Sequence, residues 1–194
     1  MCLAAVTRPR WNQLYEVAAG QEGYFTTRQA ADAGFSPELL IHHHRAGKVI
    51  RFRRGIHRIV HFPPGEHEEL VAAWLWSDRA GIVSHETALA LHQLSDVLPA
   101  EIHLTVPSAW RHRRLRVPPG VVLHHVDVAQ SDRTWFGAVP VTNPRRTLND
   151  CAHQNLSPEL LRQAAHQALR RGLATRDDLG DVERALRPFG GLAG

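Results

Sequence analysis

The sequence of 194 residues contains few cysteines and no long apolar run. Cys2 and Cys151 are its two cysteines, which provide neither a disulfide framework nor a cysteine zinc site and so indicate a reducing compartment. The longest uninterrupted apolar run, Leu70 to Trp76, is far shorter than the roughly 20 residues that span a bilayer. Met1 to Arg10 has no apolar signal-peptide core. These absences predict a cytoplasmic protein without a membrane partner.

The sequence also lacks the short motifs of common enzymes. It has neither a GxSxG elbow nor a glycine-rich phosphate loop, and it has no closely spaced group of carboxylates. Although there are 14 histidines, His85 and His92 are seven residues apart rather than one helical turn, and His124 and His125 point to opposite faces of a predicted strand. We therefore predict no catalytic residue, no metal site and no cofactor, and the protein is not expected to be an enzyme.

Positive charge is abundant in the first third of the chain. The composition is otherwise ordinary for a globular protein, with 43% hydrophobic and 22% charged residues and a formal net charge of +4. The segment 41–61, however, contains six Arg or Lys and five His but no Asp or Glu. Such a segment favours a phosphate-bearing partner, and a solvated basic face without a ligand is the alternative interpretation.

Periodicity and capping predict three short helices followed by a hairpin. Trp11 to Ala19 has apolar residues on one helical face, Thr26 or Thr27 caps a helix over 28–33, and Ser36 with Pro37 begins a third helix that ends at Gly47. Alternating β-branched and aromatic residues then flank a turn at Arg54-Gly55. This order is typical of a winged helix-turn-helix, in which the hairpin is the wing.

The Pro63-Pro64-Gly65 segment interrupts both helix and strand, so it predicts a domain boundary. We expect a DNA-binding domain over 1–62 and an α/β domain over 66–194, with a small mixed sheet and several helices. The predicted fold class is therefore α+β.

In the third helix, Leu40 and His43 or His44 are expected to face the core, and the residues expected to project outward are Glu38, Ile41, His42 and Arg45. We expect His42 to face a DNA groove and Arg45 to pair with phosphate or with guanine. The wing would grip the adjacent backbone, and Arg53-Arg54 would either enter a minor groove or keep a strand edge soluble. The residues predicted to contact double-stranded DNA are Thr27, Arg28, Ser36, His42, Arg45, Lys48, Arg51, Arg53, Arg54 and Arg58. A second basic cluster, Arg111 to Arg116, is interpreted as additional DNA contact, as a site for an acidic protein, or as a solvated loop.

These residues resemble a known family. Its motif is carried by Gly23-Tyr24-Phe25-Thr26, Gln29-Ala30, Gly34-Phe35-Ser36, Gly47 and Arg54-Gly55-Ile56-His57-Arg58, and then by residues 83–92, 102–107 and 146–150. The chain is similar to AbiEi-type antitoxins of type IV toxin-antitoxin, or abortive-infection, systems. It departs from them at His57, where a Tyr is usual, and at His43 and His44, where an aliphatic pair is usual.

The resemblance implies a transcriptional repressor that autoregulates its operon at inverted repeats. It also implies that the C-terminal domain counteracts a nucleotidyltransferase toxin without needing a stable complex. Two other hypotheses stay open at this point. One is a stand-alone winged-helix regulator whose C-terminal domain senses a ligand or dimerises, and the other is a metal-responsive or nucleolytic protein that uses its histidines.

Overall fold

The computed structural model of the chain describes residues 9–192, so that Cys2 lies outside the described residues. Contacts divide the chain into two compact units between Arg79 and Ala80. Helices and two separate sheets are combined in an α+β fold, as the sequence predicts. Within the described residues, no helix is both long enough and apolar enough to cross a membrane.

The first unit has the element order of a winged helix, with one further helix. Its elements are α1 (Trp11–Ala19), β1 (Tyr24–Thr26), α2 (Thr27–Asp32), α3 (Pro37–Arg45), β2 (Val49–Arg53), β3 (Ile56–Ile59) and α4 (Glu68–Trp76). The three strands form an antiparallel sheet in the order β1-β3-β2. The predicted helices and wing are present, and the sequence reasoning missed β1.

Side-chain caps explain where the two short helices begin. The Thr26 hydroxyl accepts a hydrogen bond from the backbone of Gln29, and the Gln29 side chain accepts one from the backbone of Thr26 at 2.8 Å, which completes a capping box. Ser36 caps α3 in the same way, and Pro37 occupies the first helical position. Both helices therefore begin at residues that the sequence identifies.

The boundary between the two compact units follows Arg79, whereas the sequence predicts a boundary at residues 62–66. Helix α4 packs against β1 and β3, and the Tyr24 hydroxyl donates a hydrogen bond of 2.6 Å to Glu68. Burial and this hydrogen bond raise the pKa of Tyr24. Because these contacts tie α4 to the winged helix, the Pro63-Pro64-Gly65 segment is a connection within the first unit.

The second unit is built on a mixed sheet, which confirms the sequence prediction. Its elements are β4 (Ile82–Val83), α5 (His85–Leu91), β5 (Ile102–Val106), β6 (Val121–His125), β7 (Arg133–Phe136), β8 (Val139–Thr142), α6 (Pro144–His153), α7 (Pro158–Arg170) and α8 (Gly180–Leu186), with 3-10 turns at Ser108–Trp110, Gln130–Asp132, Asp177–Leu179 and Arg187–Phe189. The strand order is β6-β5-β4-β8-β7. The pairs β5/β6 and β4/β8 are parallel, and the other two pairs are antiparallel.

The core of the second unit lies among α5, α6, α7 and α8. Leu89, Leu148, Leu161 and Leu186 are buried there together with Cys151, a residue that is 1% exposed. Burial raises the pKa of this thiol, so it stays protonated and packs as a small apolar group.

Candidate nucleic-acid interface

The exposed face of α3 is the first part of the candidate interface. Leu40 is buried, Ile41 is 52% exposed, and His42 and Arg45 are exposed. The helix therefore has the buried face and the exposed face that its sequence predicts. The predicted contact Ser36 is exposed, but its hydroxyl already accepts from the backbone of Leu39 at 3.2 Å. Glu38 in the first turn is exposed as well, so the outward face presents one carboxylate, one apolar, one imidazole and one guanidinium side chain.

The two residues predicted at the N-terminus of α2 both have partners within the first unit. The Thr27 hydroxyl lies 2.9 Å from Nε2 of His57, which directs it toward the wing strand. Arg28 pairs with Asp78 at 2.9 Å, with side-chain exposures of 75% and 61%. Because an ion pair this exposed contributes little stability, Arg28 remains able to exchange Asp78 for a phosphate.

The arginines of the wing fall into two groups. Arg53 donates to Oε2 of Glu69 from Nε at 3.0 Å and from Nη2 at 2.5 Å, and Arg58 donates to the backbone carbonyl of Phe62. The guanidinium of Arg58 also lies 6.0 Å from the centre of the Tyr24 ring. These two arginines therefore have structural partners within the first unit, which the sequence pattern did not predict.

Four cationic side chains of the basic segment 41–61 are exposed and have no carboxylate partner among residues 9–192. They are Arg45, Lys48, Arg51 and Arg54. Arg45 and Lys48 lie at and just after the C-terminus of α3, and Arg51 and Arg54 lie on the wing. Unpaired guanidinium and ammonium groups are the form in which side chains bind phosphate most readily.

Two imidazole rings join α3 to the wing. Nε2 of His44 lies 2.9 Å from Nδ1 of His57, and the other ring nitrogen of His57 contacts Thr27. His57 is buried, and burial together with His44 and Arg51 lowers its pKa to about 4. A neutral His57 donates at one nitrogen and accepts at the other, so this chain of contacts fixes the position of α3 relative to β3.

His43 has a different role in the same helix. Its ring packs 5.1 Å from Trp11 and 5.5 Å from Phe35, measured between ring centres. Burial lowers its pKa, and Nδ1 has no hydrogen-bond partner within the described part of the chain. The ring of His43 thus packs within the first unit, in agreement with the structural role expected from its position.

The second basic cluster lies in the other unit. Arg111 to Arg114 are exposed, the guanidinium of Arg113 lies 4.6 Å from the centre of the Trp110 ring, and Arg111 donates to the backbone of His125 at 3.2 Å. These contacts order the loop after the Ser108–Trp110 turn. The three interpretations of this cluster remain predictions.

Comparison with known proteins identifies the region that carries the candidate interface. Residues 12–60 match the model of a family described as transcriptional regulator, AbiEi antitoxin. The match runs from α1 to the end of the wing and contains every residue predicted to contact DNA, so it confirms the resemblance over this region. The resemblance drawn through residues 83–150 lies outside the matched region.

A solved structure and the curated proteins complete the comparison. The crystal structure of the RV2827C protein from Mycobacterium tuberculosis is similar to 97% of this chain and to 80% of that chain, at 15% sequence identity and a TM-score of 0.45. No curated protein matches this sequence.

Proposed function

We propose that the chain is a DNA-binding transcriptional repressor that places α3 in the major groove of its operator and the wing against the adjacent backbone. The observation that carries this proposal is the set of four exposed, unpaired cations on and beside α3 and the wing. Phosphate contacts from Lys48, Arg51 and Arg54 would supply affinity and register. Arg45, His42 and Ile41 face outward from the recognition helix and would supply contacts to base edges.

The antitoxin part of the proposal is supported by the family description matched at residues 12–60. In this proposal the chain represses its own operon at inverted repeats, and the C-terminal unit counteracts a nucleotidyltransferase toxin encoded beside it. The toxin need not form a stable complex with the chain. Growth rescue on co-expression with that neighbouring gene tests this part separately from DNA binding.

The binding experiment compares the DNA upstream of the gene with a random duplex of equal length at two salt concentrations. We expect preferential, salt-sensitive binding to the upstream fragment by the whole chain. Arg45→Ala should reduce the preference for the upstream fragment, since a lost bidentate base contact costs about 1–3 kcal/mol of discrimination. Arg170→Ala, which removes an exposed arginine of α7, is the matched control and should bind as the parent does. Equal, weak binding to both fragments would contradict the proposal.

A stand-alone regulator is the second candidate function, and a cavity in the second unit favours it. The cavity has a volume of about 830 Å³ and is lined mainly by charged and histidine side chains, among them Arg145, Arg146 and Asp150. This volume lies within the range of about 300–1,000 Å³ that small-molecule sites occupy. If the chain represses transcription from the upstream fragment but does not rescue the growth of toxin-expressing cells, the result would favour this function over the antitoxin function.

A further inference from the structure

Three histidines from three different elements meet in the second unit. His85 is the first residue of α5, His103 lies in β5 and His124 lies in β6. One ring nitrogen from each residue lies within 4.8 Å of the other two. Nδ1 of His103 is 3.0 Å from Nε2 of His124, and the rings of His85 and His124 stack with their centres 3.6 Å apart.

The register of the sheet explains this meeting. Strands β5 and β6 are parallel, and His103 is opposite Val122 while Thr105 is opposite His124. His103 and His124 therefore project from the same face, displaced by two positions. The backbone N–H of Ser84 donates to the carbonyl of His103 at 3.0 Å, which places the next residue, His85, beside the pair.

Forming this cluster costs free energy, because it requires a strained backbone at His85 and the burial of polar rings. His85 is 6% exposed and has a left-handed backbone with φ of +52°, which is unfavourable for a residue with a side chain. Burial lowers the pKa of His85 to about 3 and that of His124 to about 4, and it also lowers the pKa of His103.

Polar side chains contact Nδ1 of two of the rings, those of His85 and His124. The Ser84 hydroxyl lies 2.9 Å from Nδ1 of His85 and accepts a hydrogen bond of 2.7 Å from Thr105. It makes no capping hydrogen bond to α5. Nε2 of Gln154 lies 3.3 Å from Nδ1 of His124. Partners of this kind orient metal-ligating histidines by accepting a hydrogen bond from the ring nitrogen that does not bind the metal. The Ser84 hydroxyl can accept from His85 directly, whereas Gln154 accepts from His124 once its side-chain amide is turned to present Oε1.

The geometry points to a binding site for a divalent transition-metal ion, preferentially Zn²⁺, whose protein ligands are His85, His103 and His124. Three imidazoles and one open position are a common ligand set for zinc. His85 and His124 also line the cavity of the second unit, together with Arg111 and Arg146. The open position would therefore face this cavity, where water or an anionic ligand can complete the coordination.

The test uses the full chain without a histidine tag, freed of metal by a chelator. Zn²⁺ binding is measured by calorimetry and Co²⁺ binding by visible absorption, because a four-coordinate Co²⁺ ion absorbs far more strongly than a six-coordinate one. The ligand variants are His103→Gln, His124→Gln and His85→Asn, the last because Asn tolerates a left-handed backbone. Two variants serve as matched controls. His125→Gln changes the neighbouring residue of β6, and His42→Gln changes an exposed histidine of the other unit.

We expect one equivalent of Zn²⁺ in the parent chain and in both controls, and an intense four-coordinate spectrum with Co²⁺. Each ligand variant that retains the parent circular dichroism spectrum should bind at least about tenfold more weakly. Failure of the parent chain to bind one equivalent would overturn the inference without any variant, as would a six-coordinate Co²⁺ spectrum. Binding that persists in folded ligand variants but is lost in either control would assign the metal to other histidines and also overturn it.

Discussion

Nδ1 of His57 lies 2.9 Å from Nε2 of His44, so two imidazole rings connect the wing to α3. Four elements surround His57. They contribute His44 from α3, Arg51 from β2, the stacked ring of Phe25 from β1, and Thr27 from α2. No carboxylate pairs with His57 in the part of the chain that the structure describes. The folded protein therefore holds His57 neutral.

This arrangement predicts a loss of stability in mild acid. The pKa of His57 is about 4 in the folded chain and about 6.5 when unfolded, so between these values the unfolded state binds a proton that the folded state does not. The contribution of His57 is complete above pH 6.5 and falls by about 1.4 kcal/mol for each pH unit down to about pH 4. His57→Gln keeps hydrogen-bonding groups at this position and should remove that part of the slope.

The measurement is the free energy of unfolding in urea at several pH values between about 7.5 and 4. The other buried histidines titrate in both proteins, so the informative quantity is the difference between the parent and His57→Gln. His42→Gln, at an exposed position of α3, is the control and should retain the parent slope. Parallel curves for the parent and His57→Gln would disprove the role assigned to this ring.

The two neighbouring arginines of the wing turn should differ in their effect on DNA binding. Arg54 has no carboxylate partner among the described residues, whereas Arg53 already pairs with Glu69. Arg54→Ala should flatten the plot of log K against log salt by about one phosphate contact. Arg53→Ala should flatten it by less, and Glu69→Gln should steepen it by freeing Arg53.

Fluorescence anisotropy with a labelled operator duplex between about 50 and 200 mM salt gives these slopes. One outcome would contradict the different roles predicted for Arg53 and Arg54. If Arg53→Ala and Arg54→Ala flatten the slope equally and Glu69→Gln leaves it unchanged, the ion pair with Glu69 has no influence in solution.

Two glycines of the winged helix should respond differently to alanine. Gly23 has φ of +89°, and a Cβ there would lie 2.3 Å from Cβ of Phe62. Gly55, at the wing turn, has φ of +75° but no atom within 4 Å of its Cβ position. Gly23→Ala should cost about 2–5 kcal/mol through backbone strain and overpacking combined, and Gly55→Ala about 1–2 kcal/mol through strain alone. Thermal unfolding of the two variants checks the difference, and equal costs would show that Phe62 moves aside freely.

Local sequence signals were sufficient to predict much of the secondary structure of the first unit. Ser36 and Pro37 identify the start of α3, and Arg54-Gly55 between two β-branched runs identifies the wing, because caps and turns depend on residues close in sequence. Strand β1 was missed because it has three residues and its partner is distant, with Tyr24 opposite Arg58. Pairing across such a separation leaves no periodic pattern.

The same limit applies to side-chain partners. The sequence marks Arg53 and Arg54 as equivalent, and only the packing of α4 shows that one of them meets Glu69. Spacing also excluded the histidine pairs along single elements, yet His85, His103 and His124 come together through strand register. A search by local spacing cannot find ligands that three elements supply separately.

Cys151, buried among the helices of the second unit, provides a chemical reporter. Its thiol can react with a soluble reagent only when that helical layer opens, since burial both shields it and keeps it protonated. In a chain carrying Cys2→Ser, the rate of thiol modification under native conditions would measure the opening free energy of this unit alone. One sulfur atom thus reports on the opening of the helical layer that buries it.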